Sequence, residues 1–281
     1  MTAATAPLAP HRSRWATGSR IASSAALVVL LIGAIWLQPA WVTTTLVVLV
    51  AALAGGEAAR LFNAAGAAVP TGFVALAAAL ASIAVSGVAG PASDALQVLL
   101  LALLMAAGAV TLAIGPPSPA VLMRASSLVM APIYVGVPLG LFSWMRETSG
   151  PAAITWVVAV VAISDSAQYF AGRAFGRTKL APLVSPAKTR EGAIGGLVAV
   201  LLFGALTGPR ALGTSVPSGA ALALVLAGAG IIGDLFESLL KRSAGVKDSS
   251  HLIPGHGGVL DRIDSHLFAA PAYFFFQRFF G

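Results

Sequence analysis

The sequence predicts an all-α, polytopic integral membrane protein with about nine transmembrane helices and a cytoplasmic N-terminus. Apolar residues make up 58% of the 281 residues, and charged residues only 10%. A soluble domain of this length needs far more charge to cover its surface. In addition, uncharged stretches close to the roughly 20 residues that cross the hydrocarbon core of a bilayer recur along the whole chain.

The predicted spans fall into two parts. Residues 1–20, which precede them, have the composition of a disordered cytoplasmic tail. We divide the rest into N-terminal transmembrane helices (21–150) and a C-terminal transmembrane region (151–281), because charged groups are scarce before residue 160 and chemistry is to be sought after it. The spans are placed near residues 21–38, 41–56, 68–88, 95–115, 126–145, 151–172, 192–208, 218–240 and 263–280.

The loops between the spans set the orientation, because cytoplasmic loops of membrane proteins carry an excess of Lys and Arg. With residues 1–20 in the cytoplasm, every Lys and Arg except Arg146, Arg210 and Arg278 lies on the inner side. The prediction is a multi-pass protein of the cell inner (plasma) membrane whose C-terminus lies outside. The net charge of +7 then reflects topology and anionic membrane lipids, and nucleic acid is excluded as a partner.

The strongest concentration of polar residues lies at 233–265, where an apolar helix ends. Asp234, Ser238 and Lys241 are spaced so that they share one helical face, together with Glu237. A carboxylate directly after an apolar run is costly near lipid unless it meets a cation, so it indicates a functional site.

The connection to the last helix adds cations, further carboxylates and a glycine-rich bend. Glycines permit close approach of the backbone to a ligand and expose N–H groups suited to phosphate oxygens. Carboxylate oxygens suit Mg²⁺, and Lys and Arg suit a polyphosphate. Spacing alone does not choose among Asp248, Asp261 and Asp264 as metal ligands. The alternative is a polar cytoplasmic loop whose charges only solvate it and follow the positive-inside rule.

A second concentration of polar residues surrounds the end of the sixth predicted span. Asp165 interrupts an apolar helix, and Tyr169 and Arg173 follow on the same face. The next loop offers Lys188 and Arg190 just before a helix begins, which could hold phosphate at a helix N-terminus. The alternative is topology again, with Asp165 paired structurally to Arg173.

Other patterns are weaker. The G-x-G-x-x-G pattern at 228–233 lies inside an apolar helix without a preceding strand, so we interpret it as close helix packing rather than dinucleotide binding. His251 and His256 lie across a proline–glycine bend and are not predicted to bind zinc. The absence of cysteine excludes disulfides, thiolate catalysis and cysteine-ligated metals.

The run at 238–264, S-x-L-K-R-x4-K-D-x-S-x2-I-P-x-H-G-G-V-x-D-R-I-D, resembles the signature of the phosphatidate cytidylyltransferases, also called CDP-diacylglycerol synthases. It matches that signature without departure. The earlier segment is similar to the family's Asp-Ser/Thr-x-x-Tyr helix and Ser-Pro-x-Lys-Thr-x-x-Gly loop, although Gln168 and Ala187 stand where other side chains are common. The resemblance covers about residues 160–265, and the preceding part matches only as a series of apolar helices.

The resemblance implies an enzyme of phospholipid biosynthesis that transfers a cytidylyl group from CTP to phosphatidate, releasing CDP-diacylglycerol and pyrophosphate. It implies Mg²⁺, held by Asp234 and Asp261, with a monovalent cation such as K⁺ as an optional second ion. The active site would face the cytoplasm, and 151–281 would be the catalytic region. Lys247 and Asp248 join the two aspartates as predicted catalytic residues. Substrate binding is assigned to Lys188, Arg190, Ser238, Lys241, Arg242, His256, Gly257, Gly258 and Arg262.

Related functions stay open. An enzyme of the CDP-archaeol synthase or polyprenol kinase type would use a similar cavity with a different lipid acceptor. An ion-coupled transporter is the alternative from a different class, with Asp165 and Asp234 lining an ion path. A transporter would more often place these carboxylates in broken helices near the middle of the bilayer. Whether the protein forms a homodimer also stays open.

Overall fold

The computed structural model describes residues 32–87, 94–250, 252 and 257–280. Most of the described chain is helical, and residues 32–37 form a short helical segment before the first complete helix. The predicted tail and the first part of the first predicted span lie outside the described residues. The helices are α1 (Ala40–Ala64), α2 (Thr71–Val85), α3 (Ala95–Ile114), α4 (Ala120–Thr148), α5 (Gly150–Phe175), α6 (Arg190–Leu212), α7 (Val216–Ser243) and α8 (Leu260–Phe280).

Six of the described helices, α1 and α3 to α7, are long and apolar enough to cross a membrane. Helix α2 is apolar but has only 15 residues. Helix α8 has 21 residues, with Asp261 in its first turn and Arg278 in its last. These helices confirm a polytopic membrane protein. The number of nine spans and the orientation stay predictions.

One segment departs from the all-α prediction. Strands β1 (Lys179–Ala181) and β2 (Ser185–Thr189) form an antiparallel hairpin between α5 and α6, with Lys179 opposite Thr189. The sequence predicts a loop here instead. Strands of three and five residues show too little alternation of apolar and polar positions to be recognised.

The second predicted span was placed too short. The uncharged stretch ends at residue 56, before Glu57 and Arg60, yet α1 continues to Ala64. Glu57 is only 1% exposed, so its charge does not mark the end of the buried part of the helix. A hydropathy pattern cannot anticipate this, because the groups that satisfy Glu57 come from a distant part of the sequence.

The helices form two groups joined by α8. Helices α1, α2 and α4 pack against one another, and α5, α6 and α7 form the second group. Helix α8 packs mainly against α7 and also contacts α4, α5 and α1. Leu128, Val157 and Leu226 are fully buried in the apolar core that runs through both groups. The position of α8 therefore brings its first turn, with Asp261, beside both groups.

Helix α4 approaches α2 through glycines. A Cβ atom at Gly136 would overlap the carbonyl oxygen of Ala78, and one at Gly140 would overlap the carbonyl oxygen of Ser82. Small residues at helix crossings of membrane proteins let the backbones approach closely, and dispersion contacts then hold the pair together. The contact between α2 and α4 therefore requires glycine at these positions.

We expect Gly136→Ala to lower the thermal unfolding temperature of the purified protein in detergent. The added methyl group forces backbone against backbone, and overpacking of this kind costs roughly 1–3 kcal/mol. Gly108→Ala is the matched control, because a Cβ atom there meets open space and alanine favours the helix. Equal unfolding temperatures for the two variants would contradict the close packing of α2 and α4.

Candidate active site

A cavity of about 480 Å³ lies where α5, β2, α6, α7 and α8 meet. Residues from both regions in which the sequence concentrates polar groups line this cavity, so parts of the two predicted regions come together there. The lining residues are Asp165, Gln168, Tyr169, Gly172, Arg173, Ala187, Lys188, Thr189, Gly192, Ala193, Asp234, Asp261, Arg262 and Asp264.

An ion pair joins the two polar regions directly. Nζ of Lys188, in β2, lies 2.5 Å from Oδ2 of Asp234, in α7. Ser238, one turn further along α7, donates its hydroxyl to Oδ1 of Asp234 at 3.4 Å. The side chains of Lys188 and Asp234 are 21% and 26% exposed, so the pair remains accessible from the cavity.

The hairpin that carries Lys188 is held by local contacts. Thr189 caps the N-terminus of α6, with its Oγ1 accepting from N of Gly192 at 3.1 Å. Gly172 and Gly192 lie against the Thr189 side chain, where an added Cβ atom at either position would come within 3.0 Å of its Oγ1. The carboxylate of Glu191 accepts from the backbone N–H groups of Arg177 and Thr178. These contacts fix the start of α6 and the strand that presents Lys188.

Asp261 is the most extensively hydrogen-bonded carboxylate in the cavity lining. Its Oδ1 accepts from Nζ of Lys241 at 2.6 Å. Its Oδ2 accepts from Oγ of Ser249 at 2.8 Å, from N of Ser249 at 3.0 Å and from N of Gly258 at 2.7 Å. Gly257 has a positive φ of 81°, and a Cβ atom there would lie 2.8 Å from Oδ2 of Asp261. Gly257 and Gly258 thus lie directly against this carboxylate.

Lys241 lies between two carboxylates. Besides Asp261 it pairs with Glu237, which lies one turn earlier on α7 and is completely buried. The Lys241 side chain is 12% exposed and is not part of the cavity lining. In this arrangement Lys241 neutralises protein carboxylates. Contact between Lys241 and a substrate phosphate stays a prediction.

Two cavity carboxylates were not among the predicted site residues. Asp165 on α5 and Asp264 on α8 line the cavity together with Asp234 and Asp261. The sequence showed Asp165 interrupting an apolar helix, which was the available signal. Gln168 donates to Asp165 at 3.4 Å, and the described ion pairs do not include Asp165 with Arg173. The structural pairing considered for Asp165 and Arg173 is therefore absent from the described chain.

The remaining predicted site residues lie in different places. Arg262 lines the cavity. Four other predicted residues are exposed and do not line the cavity: Lys247, Asp248, Arg190 and Arg242. His256 lies outside the described residues. The roles assigned to these residues stay predictions.

The aspartates of the cavity lining suit a magnesium ion only if a bound ligand supplies further oxygens. Mg²⁺ usually binds through one or two carboxylates together with substrate phosphates, and it prefers hard oxygen ligands of the kind that four aspartates supply here. Within the described parts of the chain, no three acidic or histidine side chains converge closely enough to hold an ion by themselves. An ion at this site would therefore depend on oxygens from a bound ligand.

Comparison with known proteins identifies the family of the chain. Residues 18–280 match the model of the Cytidylyltransferase family. An uncharacterized protein of Escherichia coli, YnbB, is 40% identical over 130 residues, 46% of this chain and 44% of its own length. The phosphatidate cytidylyltransferase of Haemophilus influenzae is 47% identical over 136 residues, 45% of this chain and 46% of its own. The phosphatidate cytidylyltransferase of Helicobacter pylori is 39% identical over 145 residues, which are 52% of this chain and 54% of its own length.

The matched segments of these relatives cover about half of each protein, so the chain spans about half the length of the curated relatives it matches. The family match is more extensive, because it covers the N-terminal helices as well as the cavity. On that match, the chain belongs to the Cytidylyltransferase family.

Proposed function

We propose that this protein is a phosphatidate cytidylyltransferase, which converts CTP and phosphatidate to CDP-diacylglycerol and pyrophosphate. The observation that carries the proposal is the cavity in which Lys188 and Asp234 join the two polar segments at one end of a membrane-embedded helix bundle. Family membership and the names of the Haemophilus and Helicobacter relatives supply the nucleotide and the lipid. The acyl chains would stay in the bilayer while the headgroup enters the cavity.

The reaction needs little chemistry from the protein itself. A phosphate oxygen of phosphatidate forms a bond to the α-phosphorus of CTP, and the bond from that phosphorus to the oxygen bridging to the β-phosphate breaks. Pyrophosphate leaves with that oxygen and its electron pair. Because the attacking phosphate is already anionic, no strong general base is required. The protein positions the two phosphates and neutralises their charge, for which Arg173, Lys188 and Arg262 line the cavity.

Asp234 and Asp261 are the proposed ligands of Mg²⁺. Bound there, the ion would neutralise charge on the CTP phosphates and on the leaving pyrophosphate. Asp234 presents a partly exposed carboxylate to the cavity, whereas Asp261, at 8% exposure, is held by Lys241 and the glycine-rich bend. The monovalent cation implied by the resemblance stays a prediction, without residues assigned to it.

The assay that tests the function uses purified protein with labelled CTP, Mg²⁺ and phosphatidate. We expect a lipid-soluble product that carries the cytidine label, and no such product when phosphatidate is omitted. Product with an archaeol-type lipid phosphate alone would assign the related synthase. Label transferred from the γ-phosphate of CTP to a polyprenol would assign a kinase. Absence of any transfer, with ion flux in reconstituted vesicles instead, would support the transporter.

Removing the proposed metal ligands tests the site. We expect Asp234→Asn and Asp261→Asn each to lower kcat by about 100-fold or more, because charge neutralisation at the reacting phosphates is lost. Asp94→Asn is the matched control, since Asp94 is exposed at the start of α3 and forms no side-chain cap. Folding is checked by the unfolding temperature of each variant. Near-normal turnover of both cavity variants would contradict the metal assignment.

We also propose nine membrane spans with the N-terminus and the cavity on the cytoplasmic side of the inner membrane, where CTP is found. The Lys and Arg distribution supports this orientation. A reporter enzyme that is active only outside the cytoplasm should be active when fused after Gly213 or Gly281 and inactive after Gly245. An inactive reporter after Gly281, or an active reporter after Gly245, would contradict the proposed orientation.

A further inference from the structure

Glu57, in the N-terminal helix α1, is a buried carboxylate that reaches the start of α8. It is 1% exposed. Its Oε1 accepts from Oγ of Ser250 at 2.6 Å and from N of Val259 at 3.0 Å. Its Oε2 accepts from N of Leu260 at 2.7 Å and from Oγ of Ser249 at 3.1 Å. Both oxygens are therefore fully engaged by residues about 200 positions away in the sequence.

These hydrogen bonds offset the cost of burying the carboxylate. The first N–H groups of a helix have no acceptor within the helix, and a negative charge beside them is favoured by the helix dipole. Val259 and Leu260 supply two such N–H groups at the N-terminus of α8. Glu57 thus caps α8 from a different helix, which fixes the distance between α1 and the start of α8.

The same carboxylate is linked to Asp261. Oγ of Ser249 lies 2.8 Å from Oδ2 of Asp261 and 3.1 Å from Oε2 of Glu57, so the single proton of this hydroxyl group is shared between the two acids. The bridge is packed tightly, because a Cβ atom at Gly258 would overlap Oγ of Ser249 and lie 2.5 Å from Oε2 of Glu57. Movement of Glu57 would therefore move both the backbone that precedes Asp261 and the serine that holds its carboxylate.

We propose that Glu57 is a positioning residue of the active site, which sets the location of Asp261 at the cavity by capping α8 and bridging through Ser249. It touches neither the cavity nor a substrate in this arrangement. The groups that position the site then include a residue of the N-terminal half of the chain. The predicted effect of Glu57 on turnover rests on the proposed function, whereas its predicted effect on the start of α8 does not.

The kinetic test compares Glu57→Gln and Glu57→Ala with Glu147→Gln, a conservative change of an exposed glutamate in the last turn of α4. Residues that orient a metal ligand typically contribute 10–100-fold to activity or metal affinity, so we expect kcat of Glu57→Ala to fall by about 10–100-fold. The Mg²⁺ concentration for half-maximal activity should rise, and the KM for phosphatidate should stay unchanged. Lower activity without a shift in the Mg²⁺ requirement would reduce Glu57 to a purely structural role and overturn the proposal.

A structural test does not depend on turnover. The chain has no cysteine, so a single Leu252→Cys substitution accepts one spin label. Leu252 is exposed, and its N–H donates at 3.1 Å to Oγ of Ser250, which in turn is held by Glu57. We expect the label to be immobilised in the parent and in Glu147→Gln, and mobile in Glu57→Ala. A label equally immobile in all three proteins would overturn the proposal, even if the parent transferred no cytidylyl group.

Ser250→Ala covers the case in which Glu57→Ala does not fold. It removes one hydrogen bond to Glu57 and leaves α1 intact. Because both changes act through one contact, their effects on kcat and label mobility should not add: the double variant Glu57→Gln with Ser250→Ala should resemble Glu57→Gln alone. Fully additive effects would mean that the two residues act independently and would overturn the proposal.

Discussion

The hydrogen bonds to Asp261 and Glu57 hold together the parts of the chain that form the site. Asp261 is held by Lys241 of α7 and by Ser249 and Gly258 of the connection to α8. Ser249 also binds Glu57 of α1. A buried charge that loses its partner costs several kcal/mol, so these carboxylates are stable only when α1, α7 and α8 meet at this end of the bundle. The requirement to pair charge thus determines the arrangement of the helices there.

A second connection brings the hairpin onto this assembly. Lys188 reaches Asp234 only because the strand that carries it lies between α5 and α6, with Thr189 packed against glycines of both helices. The ion pair therefore joins segments that are about 50 residues apart in sequence and belong to different helix hairpins. The cavity is the space enclosed when both connections form, and this explains why its lining comes from five elements.

The sequence predicts a polytopic membrane protein because the length of an apolar run reflects the thickness of the hydrocarbon. It also places Asp234 and Ser238 together, since helical spacing fixes their common face. It does not reveal that Lys241 also pairs with Asp261, because helical spacing does not determine which carboxylate of another helix a long side chain meets. Glu57 was missed for a related reason: a lone acid in an apolar helix suggests a boundary until its distant partners are known.

The charges of the cavity lining support the proposal that a cation takes part in the reaction. Four carboxylates share this lining with three cationic side chains, and Lys188 is already paired with Asp234. A triphosphate and a phosphatidate headgroup would add further negative charge. Two like charges 4 Å apart repel by about 4 kcal/mol at an effective dielectric constant of 20. A site built of cations alone would bind free phosphate, whereas we expect a lining with more carboxylates than cations to favour phosphate that arrives with a divalent ion.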